Sequence, residues 1–354
     1  VVSMTAIKLL EESGYTQEER NALIDFILAL KKAKIQELLE RVELPKSGTK
    51  PDLRKRLQEA LDEGRIGIGS LVSYLDSIAP WGKQHVFLYK GPRVDIGAWK
   101  NPDNVLQTLK ANRLGKLFNA RLPLILPDKL TLSSIMHSDG MLRITAIQRQ
   151  DYTERAPEHD GKKEAGEGRA ILLRAYMEHV SRTLVAFEWN LAANTAMLQI
   201  TQLDRETLYE EVAKEFFGLV GGWLDIGQFG PVDIRGAIKK LHELEGNGHA
   251  EARSHKIQYR TLLGRQLSAR SPSPHDSVIG EPDIDYAMNN IASKGVGHLG
   301  NFYWLPKVQV GTMANPLKGE VHIYIVGDKS RVNFPVPTSE DVVRYVLHRV
   351  RALS

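Results

Sequence analysis

The sequence LPKSGTKPDLRKRL, residues 44–57, decides how the N-terminal region folds. Thr49 can cap a helix with its hydroxyl and Asp52 follows three residues later, while Pro51 suits a first helical turn because its missing N–H would have had no partner there. Gly48 gives the backbone freedom for a turn, and the Leu-Pro pair at the start of the stretch ends the preceding helix. The stretch therefore predicts two helices joined by a tight turn.

Apolar residues with helical spacing lie on both sides of this turn. They recur at i, i+3, i+4 and i+7 before it and every four residues after it: Ile35, Leu38, Leu39 and Val42, then Leu53, Leu57 and Leu61. Upstream, Thr16 and Glu19 form a second capping pattern, which opens a helix. This helix is expected to run unbroken into the next one, because no Gly or Pro divides them. Two short helices cannot bury a large core alone, so a further short helix over 5–13 and a helix within 66–80 are expected to complete a helical domain at 1–80.

The turn and its flanks also carry a recognisable motif. Leu-Pro, Ser-Gly, a Lys two residues after the Gly, and Leu-x-x-Arg-Leu fall in register within residues 30–63. In these residues the segment resembles the SAP motif, a small helix–extended turn–helix module. The resemblance implies a helix-turn-helix-like fold and double-stranded DNA as the partner.

The charge of the motif agrees with that partner. Residues 46–56 hold five cations against the single carboxylate of Asp52. The backbone at Gly48 lies at a helix N-terminus, where free N–H groups and the helix dipole favour an anion such as a phosphate. The candidate DNA-binding residues are Lys32, Lys34, Lys46, Gly48, Thr49, Lys50, Arg54 and Lys55. The alternative is an ordinary solvated helix face, which is what most charge runs are.

Composition limits the other possibilities. The chain has 354 residues, no cysteine and a net charge of only +4, so a nucleic-acid site must be local and disulfides, thiol nucleophiles and cysteine zinc sites are excluded. No apolar run approaches ~18 residues and no signal-peptide pattern opens the sequence, so no membrane partner is expected. The predicted location is the cytoplasm or nucleoid, or the nucleus in a eukaryote.

Beyond Pro80 the pattern changes from helices to strands. QHVFLYK at 84–90 reads as a strand, and an Asp-Gly step within 137–140 predicts a hairpin. Antiparallel strands separated by helices indicate an α+β fold. One of these helices is expected from Asp204 to Leu219, capped by Asp204. The predicted domains are the helical domain, an α+β hairpin domain at 81–168 with a charged linker at 151–169, and a C-terminal α+β domain at 169–354.

A second, more diffuse resemblance concerns the order of these elements. From Ile35 through GKQHVFLYKG and AWKN to MLRITAIQRQDYTER, the chain is similar to the N-terminal half of centromere protein N. That family has a helical bundle followed by an antiparallel hairpin sheet, and it binds DNA and protein on chromatin without catalysis. No residue role is transferred from it.

Motifs for catalysis are missing from the sequence. It contains no P-loop, no dinucleotide-binding glycine pattern after a strand, no G-x-S-x-G and no H-E-x-x-H. A nuclease remains an alternative because a divalent cation needs clustered carboxylates, and Glu281, Asp283 and Asp285 are close in the sequence. Glu320 and Lys329 lie on or near strands, as a nuclease pattern requires, but they are nine residues apart. Acidic residues are also expected at a helix start, which is where Asp283 and Asp285 fall. We predict no catalytic residue, no metal and no cofactor, and leave enzymatic activity open.

Two other clusters have simpler explanations. His242, His249 and His255 match no metal-ligand spacing and are expected to be surface histidines in a mobile loop. Aromatic side chains at 302–304 (Phe-Tyr-Trp) could stack bases of a single strand, but strand alternation puts Tyr303 on the face opposite to the other two.

Together these patterns predict a non-enzymatic DNA-binding protein of genome or chromosome maintenance. Its α+β body is expected to bind a protein partner or a second nucleic-acid feature, or to self-associate through the C-terminal domain. The alternatives are a nuclease that the SAP-like module delivers to DNA and a scaffold that binds only proteins.

Overall fold

A computed structural model of the protein describes residues 14–165, 169–203, 208–306, 308, 310 and 313–354, together with the backbone of residues 8–9. Most of the helix predicted over 5–13 lies outside the described residues, and Lys8–Leu9 within it is a strand. The predicted cap Asp204 also lies outside them. In the described part of the chain no helix has the length and apolarity that a membrane crossing needs.

The N-terminal region is helical, as predicted. Its helices are α1 (Gln17–Leu28), α2 (Lys32–Arg41), α3 (Lys50–Asp62) and α4 (Ile68–Ile78). Capping boxes at Thr16 and Thr49 start α1 and α3. The expectation that α1 runs on into α2 is wrong, because the backbone becomes extended at Lys31, with ψ 140°. No Gly, Pro or capping side chain marks this break.

Apolar faces of the four helices form one core. Its fully buried members include Leu23, Ile27, Leu38, Leu39, Leu57 and Leu71. Ile125 and Leu126, which come from the body of the protein, are part of the same core. The four helices therefore fold together and against the rest of the chain.

The rest of the described chain is built on strands. In chain order they are β1 (Lys8–Leu9), β2 (Gln84–Lys90), β3 (Ala120–Arg121), β4 (Thr131–Ser138), β5 (Met141–Arg155), β6 (Gly161–Glu164), β7 (Ala170–Leu173), β8 (Tyr176–Asn190), β9 (Thr195–Thr201), β10 (Gly230–Pro231), β11 (Ala252–Thr261), β12 (Gln266–Arg270), β13 (Gly295–Trp304), β14 (Val321–Val326) and β15 (Arg331–Phe334). The helices between them are α5 (Gly97–Lys100), α6 (Pro102–Ala111), α7 (Tyr209–Val220), α8 (Arg235–Gly246), α9 (Pro282–Lys294) and α10 (Glu340–Ala352).

Most of these strands form one large sheet. Its order is β1-β3-β4-β5-β8-β9-β2-β15-β14-β13-β11-β12, with β10 paired to β2. Neighbouring strands in this sheet are antiparallel except for β1 and β3, which are parallel. The α+β prediction is therefore confirmed. The predicted division at residue 168 falls inside this sheet, since β5 and β8 on its two sides pair along 15 residues of each strand.

Strand β2 joins the two halves of the sheet and contributes to both of its cores. Phe87 packs on one face with α6 and α7. Val86 and Leu88 point to the opposite face, where α8, α9 and α10 cover the C-terminal strands. The helices α6 and α7 therefore lie on the opposite face of the sheet from α8, α9 and α10.

The segment predicted as a charged linker, 151–169, contains strand. β5 continues through Arg155, and β6 pairs with β7 in a separate two-stranded sheet. Arg155 holds this extension together by an ion pair with Asp160 and by donating to the carbonyl of Ala175 at 2.9 Å. We call residues 151–179 the arm.

The helical domain is attached to the sheet by a buried ion pair. Asp76 on α4 lies 2.7 Å from the guanidinium of Arg182 on β8 and 3.8 Å from that of Arg121. The side chain of Asp76 is fully buried. Arg182 also donates to the carbonyl of Leu124 at 2.9 Å. The two regions are thus joined by charge as well as by apolar contacts.

Candidate nucleic-acid interface

The turn before α3 is shaped by one glycine and one capping box. Gly48 has φ +132°, and a Cβ there would approach the Cβ of Asp52 to 3.1 Å, so glycine suits the position on both counts. Asp52 accepts hydrogen bonds from the backbone N–H and the hydroxyl of Thr49 at 2.8 and 2.7 Å. These bonds lower the pKa of the Asp52 carboxyl. Asp52 therefore occupies one of the N–H groups that the sequence assigned to a phosphate.

Arg56 has a role that sequence reasoning missed. Its guanidinium donates to the carbonyls of Pro45 and Ser47 at 2.7 and 2.8 Å, across the turn. It therefore closes the turn from inside the module, although in the sequence it counts as one more cation of the basic cluster. A charged residue one turn after the apolar Leu53 gives no local signal of such a contact.

Most cations of the predicted set already have an acidic neighbour. Lys34 contacts Glu37 at 2.7 Å, Lys46 contacts Glu40 at 2.9 Å, Lys55 lies 3.8 Å from Glu59, and Arg54 pairs with Asp25 on α1. All four basic side chains are exposed, with 80% of the Lys55 side chain open to solvent. Such pairs exchange readily with solvent ions and contribute little to stability.

Lys32 and Lys50 differ from these four. Neither forms an ion pair with any residue that the structure describes, and both are exposed. Lys50 is the first residue of α3, directly after Gly48 and Thr49, and Lys32 is the first residue of α2. The structure thus places two uncompensated cations at two helix N-termini, where an anion is favoured by the dipole as well.

Comparison with known proteins identifies this module. Residues 27–62 match the family model of the SAP domain, which includes α2, the turn and α3. The chain therefore contains a SAP domain, and a SAP domain indicates DNA binding. No curated protein matches the chain. The resemblance to centromere protein N receives no support.

The histidines predicted at the surface are mostly in the interior. His242 is buried, with Nδ1 2.8 Å from the hydroxyl of Tyr259, and His255 is buried with Nδ1 2.6 Å from Oγ of Ser271. His249 alone of the three is exposed. The expectation of surface histidines was therefore wrong for two of them, because β11 carries one and α8 packs the other against it.

The carboxylates considered for a nuclease either bond to another residue or lie in the first turn of a helix. Glu320 forms two bonds with Arg253, at 2.7 and 2.6 Å, which lower the pKa of its carboxyl. Asp285 lies in the first turn of α9 and accepts from the N–H of Gly280 at 3.0 Å, while Asp283 is in the same turn. Within the described ranges no three His, Asp or Glu side chains are grouped to hold a metal ion.

Proposed function

We propose that the protein is a DNA-binding protein whose SAP domain contacts the phosphates of duplex DNA at the N-terminal ends of α2 and α3. The observation that carries this proposal is the position of Lys50. Among the described residues it has no ion-pair partner, and it lies directly after the Gly48 turn of a module that matches the SAP family. Lys32 adds a second such cation.

The paired cations extend this surface. Arg54, Lys46, Lys34 and Lys55 can exchange their carboxylate neighbours for phosphates, because all of these pairs are exposed. Gly48 and Thr49 hold the turn that presents them. Contacts of this type fix the protein on the duplex without reading its sequence. We therefore expect weak sequence preference and strong salt dependence.

The test is fluorescence-anisotropy binding of a labelled duplex to the full chain at several salt concentrations. With four to five phosphates neutralised, log K should fall against log[salt] with a slope of about −4. The double substitution Lys50→Ala/Arg54→Ala should weaken binding and flatten the slope by about 2. The matched control is Lys239→Ala/Lys240→Ala on α8, which removes the same charge from the body.

Unchanged affinity and slope in Lys50→Ala/Arg54→Ala would overturn the site, and so would an equal loss in the α8 control. Recovering the duplex on a gel after incubation with Mg²⁺ examines the rival function. Intact DNA supports a binding protein, whereas cleavage that disappears in Glu320→Gln would support the nuclease.

A second function of the body, self-association, is favoured by the arm. All residues of β6 and β7 are exposed, and 74% of Leu172 is open to solvent between exposed Ile171 and Leu173. A strand with apolar side chains on both faces is expected to be covered, and an isolated two-stranded sheet is only marginally stable. We therefore place the protein-contact surface of the body on this strand.

The charge of the arm favours a second copy of the chain as the occupant. The tip, residues 161–174, has a net positive charge, whereas the base, residues 151–160 and 175–179, has a net negative charge. Two arms that pair antiparallel bring the tip of one against the base of the other. The contact is then isologous, as in most homodimers.

Light scattering after size-exclusion chromatography tests this contact. We expect a dimer for the wild-type chain and a monomer for Leu172→Ser/Leu173→Ser. The control, Leu262→Ser/Leu263→Ser, removes two leucines that are 90% and 86% exposed in the turn between β11 and β12. A monomeric wild type, or dissociation by the control alone, would contradict self-association through the arm.

A further inference from the structure

The C-terminal half of the sheet has one buried face, which packs on helices, and one partly exposed face. On the core side, Ile257, Phe302 and Ile323 are fully buried. Residues that alternate with them are only half-buried: Lys256, Tyr303, His322, Tyr324 and Asn333. We call this surface, formed by β11 to β15, the polar face. The prediction that Tyr303 points away from Phe302 and Trp304 is confirmed, since these two are in the core.

Aromatic rings form a row across the polar face. Tyr303 and His322 are cross-strand partners with ring centroids 4.5 Å apart and an angle of 6° between their planes. Tyr324, two residues further along β14, follows with its ring 4.7 Å from that of His322. His322 donates from Nε2 to Asn301 at 2.7 Å, and its pKa is lowered by burial and by nearby His255. A neutral His322 thus fills the middle of the row.

Cations lie beside this row. Lys256 and Arg270 are cross-strand partners on β11 and β12, and neither forms an ion pair with a carboxylate in the described part of the chain. Arg253 lies over the ring of Tyr303, 5.3 Å from its centroid, while it pairs with Glu320. The polar face therefore combines aromatic rings with excess positive charge at one edge.

This combination has a specific chemical match. Single-stranded nucleic acid offers unpaired bases that stack on aromatic rings and phosphates that bind cations, whereas the bases of a duplex are stacked on one another. An acidic peptide would use Lys256 and Arg270 but not the row of rings. Three strand spacings, roughly 14 Å, separate Tyr324 from Arg270, a distance that a few nucleotides can cover.

We propose that the polar face binds single-stranded DNA, with a base stacked at the Tyr324 end of the row and phosphates against Lys256 and Arg270. Asn333, a half-buried cross-strand neighbour of Tyr324, offers its amide to the edge of that base. The inference deepens the proposed DNA-binding function and rests on it. It gives the protein two surfaces for DNA, the SAP domain for the duplex and the sheet for a single strand.

The experiment measures anisotropy of a labelled oligo-dT of about 15 nucleotides, a length that covers a typical single-strand site. The full chain is used at low salt. Tyr324→Ala should weaken binding about five- to one-hundred-fold, because it removes one stacking ring, and Tyr324→Phe should retain binding. The matched control is Tyr286→Ala, which removes a 75% exposed tyrosine from α9 on the other side of the sheet.

A second variant protects the test against misfolding. Lys256→Glu/Arg270→Glu changes the edge of the sheet without touching the rings, and it should also weaken oligo-dT binding at least fivefold. Duplex binding should stay unchanged in both variants. Oligo-dT binding should survive in Lys50→Ala/Arg54→Ala, which separates failure of this inference from failure of the SAP site.

Three results would overturn the inference. One is no binding of oligo-dT by the wild-type chain at low salt. Another is an equal effect of Tyr324→Ala and Tyr286→Ala in folded protein. The third is loss of oligo-dT binding only in the SAP variant, which would assign the single strand to the SAP domain.

Discussion

One ion pair in the SAP domain and one at the sheet have the same length but contribute differently to stability. Lys34 and Glu37 on α2 are 2.7 Å apart at the surface, so their contact contributes little to stability. Asp76 and Arg182 are also 2.7 Å apart, but both side chains are buried where the two regions meet. The comparison teaches that position, not distance, decides what an ion pair does. The carboxylate of the exposed pair can be exchanged for another anion, whereas the buried pair fixes the helical domain on the body.

The largest expected effect comes from breaking the buried pair. Asp76→Ala leaves the guanidinium of Arg182 buried without its carboxylate, which should lower the free energy of unfolding by about 3–5 kcal/mol. Glu37→Ala, its exposed counterpart, should cost below about 0.5 kcal/mol. Urea unfolding of the two variants against wild type measures both values. Equal losses would show that burial is not what separates the two pairs.

A second, smaller effect concerns pH and a histidine of the sheet. Burial, helped by nearby Arg331, lowers the pKa of His85 to about 3, and its ring stacks on Tyr209 at 3.7 Å. The unfolded chain takes up a proton near pH 6.5 and the folded chain does not, so stability should fall as pH drops from 6.5 towards 3. Between pH 7.5 and 5.0, His85 should account for a loss of about 1 kcal/mol in the free energy of unfolding. This value allows for solvent screening, because the side chain is only half-buried.

Urea unfolding at both pH values measures this loss. On acidification, the free energy of unfolding of His85→Gln should fall by about 1 kcal/mol less than that of wild type. His242 and His322 also have lowered pKa values through burial, so part of the pH dependence should persist in the variant. An unchanged pH dependence in His85→Gln would contradict the assignment.

The smallest expected effect separates two roles of cations within the SAP domain. Arg56→Ala removes two hydrogen bonds to the turn and should cost about 1 kcal/mol of stability. It should weaken duplex binding by loosening the turn but leave the salt slope nearly unchanged. Lys50→Ala should leave stability unchanged but flatten the slope of log K against log[salt] by about 1. A flatter slope in Arg56→Ala would place Arg56 on the phosphates.

The extent to which sequence predicts structure differs between the two regions. In the helical domain, Thr16 and Thr49 mark helix starts, and Gly48 marks the turn, because capping and backbone freedom act within a few residues. In the body, the strand at residues 84–90 was predicted with its bounds, but its partners were not. Val86 pairs with Gln199 on one side and with Val332 on the other, and no local pattern encodes such distant neighbours.

The candidate site shows the same division. Its cations were found from the sequence, but their carboxylate partners were not, since Arg54 meets Asp25 only after α1 and α3 pack together. Lys50 stands out among them only in the folded molecule. The row of Tyr303, His322 and Tyr324 is likewise invisible in the sequence, because it forms across two strands.

By itself the sequence determined the SAP domain, the α+β class and the absence of cysteine chemistry, because capping, periodicity and composition are properties of short segments or of the whole chain. Tertiary structure alone decided that most strands join in one sheet through β2, that Asp76 fixes the helical domain on it, and that aromatic rings and cations share the polar face. These features depend on residues far apart in the chain, whose contacts arise only when strands and helices pack.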